Sequence, residues 1–82
     1  MPRFYFDWDE SNELAIVDDM GLELPDLAAA KAEAAQALAE WSKDVIPRAD
    51  RQELAITVRD EHGHPCLRTH LIFEAIVLQF PN

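Results

Sequence analysis

The spacing of hydrophobic residues predicts strands at the start of the chain. Residues 3–9 alternate between an aromatic side and a mainly charged side, which is the period of a half-buried strand. The aromatic side consists of Phe4, Phe6 and Trp8. Three turn-forming residues follow, and the apolar run from Leu14 to Val17 then predicts a short second strand over residues 13–17.

A helical period replaces this alternation in the middle of the chain. Residues 26–46 contain eight alanines, begin at Asp26 as an N-cap and stop before Pro47, so we expect one long helix there. Its sheet-facing stripe comprises Leu27, Ala30, Ala34, Leu38, Trp41 and Val45. A second stripe comprises Ala28, Ala32, Ala35, Ala39 and Ile46. Two explanations fit the second stripe: the high helix propensity of alanine, or close helix packing in a dimer.

Alternation returns in the last third of the chain and completes the fold prediction. Strands are predicted over residues 53–60 and 66–78, joined by a hairpin loop in which Gly63 supplies a left-handed conformation. The expected architecture is α+β, a β(β)αββ two-layer sandwich in one domain of residues 1–82. One helix covers one face of a mostly antiparallel sheet of three or four strands. The expected core comprises Phe4, Phe6, Leu38, Trp41, Ile56, Val58, Leu71 and Phe73.

Composition and charge narrow the classes of partner. The 82 residues carry 16 acidic and 7 basic side chains, a net charge of −9, and eight of the acidic residues fall among the first 26. A negative field disfavours nucleic acid and anionic lipid as partners. The single cysteine, Cys66, cannot form an internal disulfide, and no segment has the pattern of a signal or a membrane span. We therefore expect a cytoplasmic protein.

Three stretches of sequence resemble a family of short bacterial proteins catalogued as a domain of unknown function. They are MPRFYFD, DDMGLELPDLAAAKAEAAQAL and ELAITVRDEHGHPCLRTHLIFE. The most specific part runs from Gly21 to Leu27 and leads into the alanine-rich helix. The resemblance implies the fold of a small cytoplasmic domain, with no established activity. The LPDL sequence before a helix is also distantly similar to antitoxin domains of the HicB type.

Two clusters have side chains that bind metal ions in other proteins. Residues 7–18 place oxygen-bearing side chains at calcium-loop spacing, but the usual glycine and bidentate glutamate are replaced, which favours a solvated acidic loop. The matching positions are Asp7, Asp9, Ser11, Leu14 and Asp18. In the hairpin, His62, His64 and Cys66 have a spacing suited to zinc, but they lack an evident fourth ligand. We expect neither a metal ion nor another cofactor.

The sheet face opposite the helix is the predicted interaction surface. It carries Tyr5, Arg59, Arg68, His70 and Ile72. An aromatic side chain among cations resembles a nucleic-acid platform, but cross-strand pairing of arginine with acids such as Asp7 or Glu74 is the simpler explanation.

No pattern in the sequence indicates catalysis. The chain shows neither a nucleophile with an adjacent base nor a glycine-rich phosphate loop, so we expect a domain that is not an enzyme. The function predicted from the sequence is protein binding, including formation of a homodimer through the sheet face or its edge. The alternative is an antitoxin-like or nucleic-acid-binding regulator that uses the sheet face.

Overall fold

The structure, a computed structural model, describes residues 1–11 and 13–80 and confirms the α+β class. Pro81 and Asn82, which belong to the predicted domain, lie outside the described residues. The strands are β1 (Arg3–Glu10), β2 (Glu13–Ile16), β3 (Leu22–Glu23), β4 (Arg51–Arg59) and β5 (Pro65–Glu74). One long helix, α1 (Leu27–Val45), is followed by a short 3₁₀ helix (Ile46–Arg48).

The strands form one antiparallel sheet in the order β2-β1-β4-β5, and β3 pairs with the beginning of β1. The first strand therefore lies in the middle of the sheet, where Phe6 pairs with Val58 of β4. A bulge between Trp8 and Asp9 shifts the pairing of β1 with β2. The sequence did not predict β3, because a strand of two residues is too short to show a period.

Helix α1 begins where the sequence predicts and lies over β4 and β5. Asp26 is the N-cap, and its side chain accepts a hydrogen bond from the backbone N–H of Ala29. Ala30 and Ala34 are completely buried, because small side chains let the helix approach the sheet closely. Leu27 was expected on the buried stripe but remains 43% exposed, since the buried stripe begins at Ala30.

The core lies between α1 and the central strands. Its buried residues are Phe4, Ala30, Ala34, Leu38, Leu54, Ile56 and Val58. Phe6, Trp41 and Leu71 of the predicted core are partly buried and pack against this cluster. Phe73 was also expected in the core but is not part of it, because it pairs with Gln52 near the end of the sheet.

Strand β5 ends at Glu74 although the hydrophobic pattern predicts a strand to residue 78. Its last partner is Arg51, the first residue of β4, so no strand remains for later residues to pair with. The backbone N–H of Ala75 donates to Asp50 O at 2.6 Å. Among the described residues, no backbone hydrogen bond joins 76–80 to the rest of the chain. We call residues 75–80 the arm.

The arm makes the molecule long. The principal axes measure 58, 21 and 18 Å. At about 3.3 Å per residue, the ten residues of β5 and the six of the arm together span roughly 53 Å, close to the longest axis. The arm therefore continues the direction of β5 beyond the sheet. No helix in the described part of the chain is long and apolar enough to cross a membrane.

Candidate interaction surfaces

Helix α1 leaves part of the sheet's inner face uncovered, and an apolar groove forms there. A helix is about 10 Å wide with its side chains, so it covers roughly two strands spaced about 4.8 Å apart. Because α1 lies over β4 and β5, the inward side chains of Phe6 and Trp8 on β1 are only half-buried, whereas Phe4 lies in the core. The groove has a volume of about 430 Å³. Its apolar lining includes Phe6, Trp8, Ile16, Val17, Met20 and Ala37.

Residues 17–22 follow β2 and form one wall of the groove, and Asp18 holds this wall in place. Its carboxylate accepts hydrogen bonds from the backbone N–H groups of Phe6, Met20 and Gly21, each at 3.0 Å. Burial acts to raise the pKa of Asp18, but these three donors and the charge of Arg59 lower it below its usual value. The wall from residue 17 to 22 is therefore held against β1 by a carboxylate that stays ionised at neutral pH.

A second set of contacts supports the same wall. The Asp18 backbone N–H donates to Asp7, and Arg59 donates both to the Asp7 carboxylate and to the backbone carbonyl of Asp18. The Arg59 guanidinium also lies 5.1 Å from the centre of the Tyr5 ring. These contacts link β1, β4 and the groove wall into one unit.

Gly21 allows the wall to pass close to β1. Its φ is +71°, in the left-handed region that favours glycine. A Cβ atom at this position would lie 2.9 Å from the Phe4 carbonyl oxygen and from side-chain carbons of Arg3 and Tyr5. The hydrophobic pattern does not predict this role of Asp18, although an aspartate three residues before a glycine is typical of a side-chain-capped turn.

Most of the exposed large hydrophobic side chains of the described residues fall into two groups, apart from Met1 at the start of the chain. The group at the groove comprises Ile16, Val17, Met20 and Leu22, and Leu27 is separately exposed at the start of α1. The group at the other edge of the sheet comprises Ile72, Ile76, Val77, Leu78 and Phe80. Leu78 is 91% exposed and Val77 is 80% exposed. The two groups lie at opposite edges of one sheet.

The predicted interaction surface lies on the outer face of the sheet, away from α1. Arg59 contacts Asp7 at 2.6 Å, and Arg68 contacts Asp9 at 3.0 Å. Arg51 forms further ion pairs on this face with Glu53 and Glu74, and the His70 imidazole lies 3.9 Å from the Glu53 carboxylate. Ile72 is 54% exposed, and Tyr5 is half-buried beneath Arg59. Carboxylates thus already neutralise much of the positive charge on this face.

Most side chains at the calcium-loop spacing are engaged by other residues. Asp7 contacts Arg59 and Asp9 contacts Arg68, while Ser11 bonds to Gln52 through its hydroxyl. Asn12 and the side chain of Leu14 lie outside the described part of the chain. Across residues 1–11 and 13–80, no three histidine, cysteine, aspartate or glutamate side chains form a metal-ligand group.

The hairpin residues are held by turn contacts. Asp60 accepts hydrogen bonds from the backbone N–H groups of His64 and His62, and these bonds lower its pKa. The two imidazole rings lie 6.3 Å apart. The Cys66 thiol lies 3.4 Å from the Val58 carbonyl, and its pKa is raised by burial and by the charge of Asp60. This thiol is therefore protonated at neutral pH, which makes it a weak nucleophile.

A sequence profile of one protein family matches residues 3–72, most of the chain. The chain belongs to DUF6894, a family of domains of unknown function. The DUF6894 match runs from β1 to near the end of β5, so it includes the groove and stops before the arm. No curated protein matches the chain, and no solved structure does so either.

Proposed function

We propose that this DUF6894 domain acts by binding protein, first of all a second copy of itself, and that it uses neither catalysis nor a cofactor. The observation that carries the proposal is the arm. A segment of six residues without a charged side chain extends into solvent beyond the last strand pair. A single cysteine, which cannot form an internal disulfide, fits a reducing cytoplasm, where we place this role.

The size of the exposed apolar surface supports association. The arm carries four large hydrophobic side chains, Ile76, Val77, Leu78 and Phe80, each at least 68% exposed. Complete burial of such a side chain contributes about 1.5–3 kcal/mol, so one arm supplies at most roughly 6–12 kcal/mol and two arms at most about twice that. Loss of free motion on association costs an estimated 4–15 kcal/mol. Two arms that bind reciprocally therefore support a stable dimer better than one arm does.

The pattern of charge argues against the nucleic-acid alternative. Arg59 and Arg68 are the cations that would contact phosphate on the outer face, and each is paired with an aspartate. Phosphate binding would have to break these pairs against a net charge of −9. Protein association through an uncharged segment leaves these ion pairs intact and brings no phosphate close to the negative chain.

The molar mass of the full chain, measured by light scattering at micromolar concentration, tests the proposal. We expect the mass of two copies. The Ala35→Glu variant serves as a control for the second stripe of the helix, because Ala35 is exposed on α1 and the substitution places a charge there. We expect this variant to keep the mass of the unmodified protein.

A salt titration is the second part of this experiment. Two copies with a charge of −9 each repel one another, so added salt should strengthen an apolar contact by screening that repulsion. Binding to duplex DNA would instead weaken as salt rises. A protein that is monomeric at every salt concentration, or that binds DNA at low salt, contradicts the proposed function.

A further inference from the structure

We propose that the arm of one copy binds in the apolar groove of a second copy. The inference rests on the proposed function, because it names the two surfaces that meet in self-association. The groove is formed by the uncovered aromatic side of β1, the wall after β2 and one side of α1. The arm is residues 75–80, which continue β5.

The arm and the groove match in chemistry. In an extended segment alternate side chains share one side, so Ile76, Leu78 and Phe80 form an apolar row spaced about 6.6 Å apart. The groove's volume of about 430 Å³ is within the range of clefts that enclose compact apolar ligands, about 300–1,000 Å³. Its acidic lining residues are Asp18, Asp19 and Glu33. An uncharged segment avoids the repulsion that an acidic segment would meet there.

The sheet also offers hydrogen-bond partners to the arm backbone. Strand β2 is the last strand of the sheet order, so its outer edge is unpaired within the described residues. An extended segment beside β2 can add as a further strand while its alternate side chains enter the neighbouring groove. Those backbone groups of 76–80 that face β2 would then be paired, whereas they lack backbone partners among the described residues of one copy.

The arm cannot reach the groove of its own chain without a large rearrangement. It leaves the sheet at the β5 edge, whereas the groove lies beside β1 and β2. Helix α1 lies over β4 and β5 and so stands between the two on the inner face. Each copy of the chain, however, carries both an arm and a groove. Exchange of the two arms around a two-fold axis therefore closes a dimer.

Charge substitutions in each surface test the contact. Leu78→Asp changes the arm and Val17→Asp changes the groove, and both positions are exposed, so the fold should survive as checked by circular dichroism. We expect each variant alone to associate at least about tenfold more weakly, because a carboxylate would be buried in an apolar contact. Ile72→Glu adds the same charge to the outer face near the arm and should retain the mass of the unmodified protein.

Mixing the two variants distinguishes this contact from a symmetric one. The intact arm of the Val17→Asp chain can still bind the intact groove of the Leu78→Asp chain. We therefore expect the mixture to associate more strongly than either variant alone. If the mixture associates no more strongly than either variant alone, the two copies meet through the same surface on each copy, such as β5 against β5. The inference is then wrong.

The remaining outcomes separate this inference from the proposed function. An unmodified chain that is monomeric contradicts both. An unmodified chain that dimerises, together with variants at 17 and 78 that dimerise equally well, contradicts only the arm and groove contact. If Ile72→Glu is the one variant that loses association, the contact lies on the outer face and the inference is wrong.

Discussion

Asp18 is a carboxylate that accepts three backbone hydrogen bonds within the fold, and its role is visible in how stability depends on pH. Its pKa is lower in the folded chain than in the unfolded chain, so the unfolded chain binds more protons near pH 4. The stabilisation it provides is complete above that pH. It is lost as the pH falls through the lowered pKa of the folded state.

We expect Asp18→Asn to lower the free energy of unfolding by about 1–3 kcal/mol at neutral pH, because an amide replaces a charged acceptor. The difference between the variant and the unmodified protein should shrink as the pH falls below about 4 and then through the lowered pKa of folded Asp18. Urea denaturation at neutral pH and at about pH 3 measures both values. An equal difference at the two pH values would show that the charge of Asp18 has no part in holding the groove wall.

The two glycines form a matched pair for measuring the close approach of this wall to β1. Both have positive φ, +71° at Gly21 and +85° at Gly63, but a Cβ at Gly63 meets nothing within 4 Å. Gly63→Ala should cost about 1–2 kcal/mol, the strain of a left-handed alanine. Gly21→Ala should cost roughly 2–5 kcal/mol, because the added methyl group also displaces the β1 backbone.

Chemical denaturation of the two glycine variants gives the difference directly. Since the backbone strain is common to both, the excess loss in Gly21→Ala measures the contact with Phe4 and its neighbours. If both variants lose the same free energy of unfolding, the wall is not packed tightly against β1.

At the scale of elements, α1 places alanine residues in two different environments. Ala34 is fully buried against the sheet, while Ala35 is exposed. We expect Ala34→Leu to lower the free energy of unfolding by about 1–3 kcal/mol through overpacking, and Ala35→Leu to change it by less than about 0.5 kcal/mol. Denaturant titrations of both variants would refute this packing if Ala34→Leu proved neutral.

The elements show how far the sequence predicts the fold. Periodicity placed α1 and the main strands, because each has one buried side that leaves a regular hydrophobic pattern. It failed after Glu74, where the apolar run continues but β4 offers no further partner. A strand needs a neighbour, and neighbours are set by register, which a local pattern does not contain.

The same reason explains what the sequence shows of the candidate site. The alternation correctly put Phe6 and Trp8 on the inner face of β1. It did not show that α1 would lie over β4 and β5 and leave those rings partly uncovered, because a helix position across a sheet depends on packing of the whole core. The alternation also predicted that arginines of the outer face pair with Asp7 and Glu74, and both carboxylates do contact an arginine. This pairing can be predicted because it joins side chains on neighbouring strands.

For the molecule as a whole, the positions of the two apolar groups determine the kind of assembly. They lie at opposite edges of the sheet, so a contact between them joins unlike surfaces. Two such contacts close a dimer when the copies are related by a two-fold axis, and a single repeated contact would extend into a chain of copies. The gain from two arms, estimated above, favours closure.

The tilted pair of Trp8 and Trp41 gives the chain a built-in optical reporter. These are its two tryptophans, and their ring centres lie 4.9 Å apart with planes at 44°. Indole transitions this close couple, so the near- and far-ultraviolet dichroism contains a signal that exists only while Trp41 of α1 stays packed against Trp8 of β1. Because Trp8 also borders the groove, its emission is sensitive to water there. Separation of helix and sheet and occupation of the groove can thus be followed in the unlabelled protein by two different spectroscopic signals.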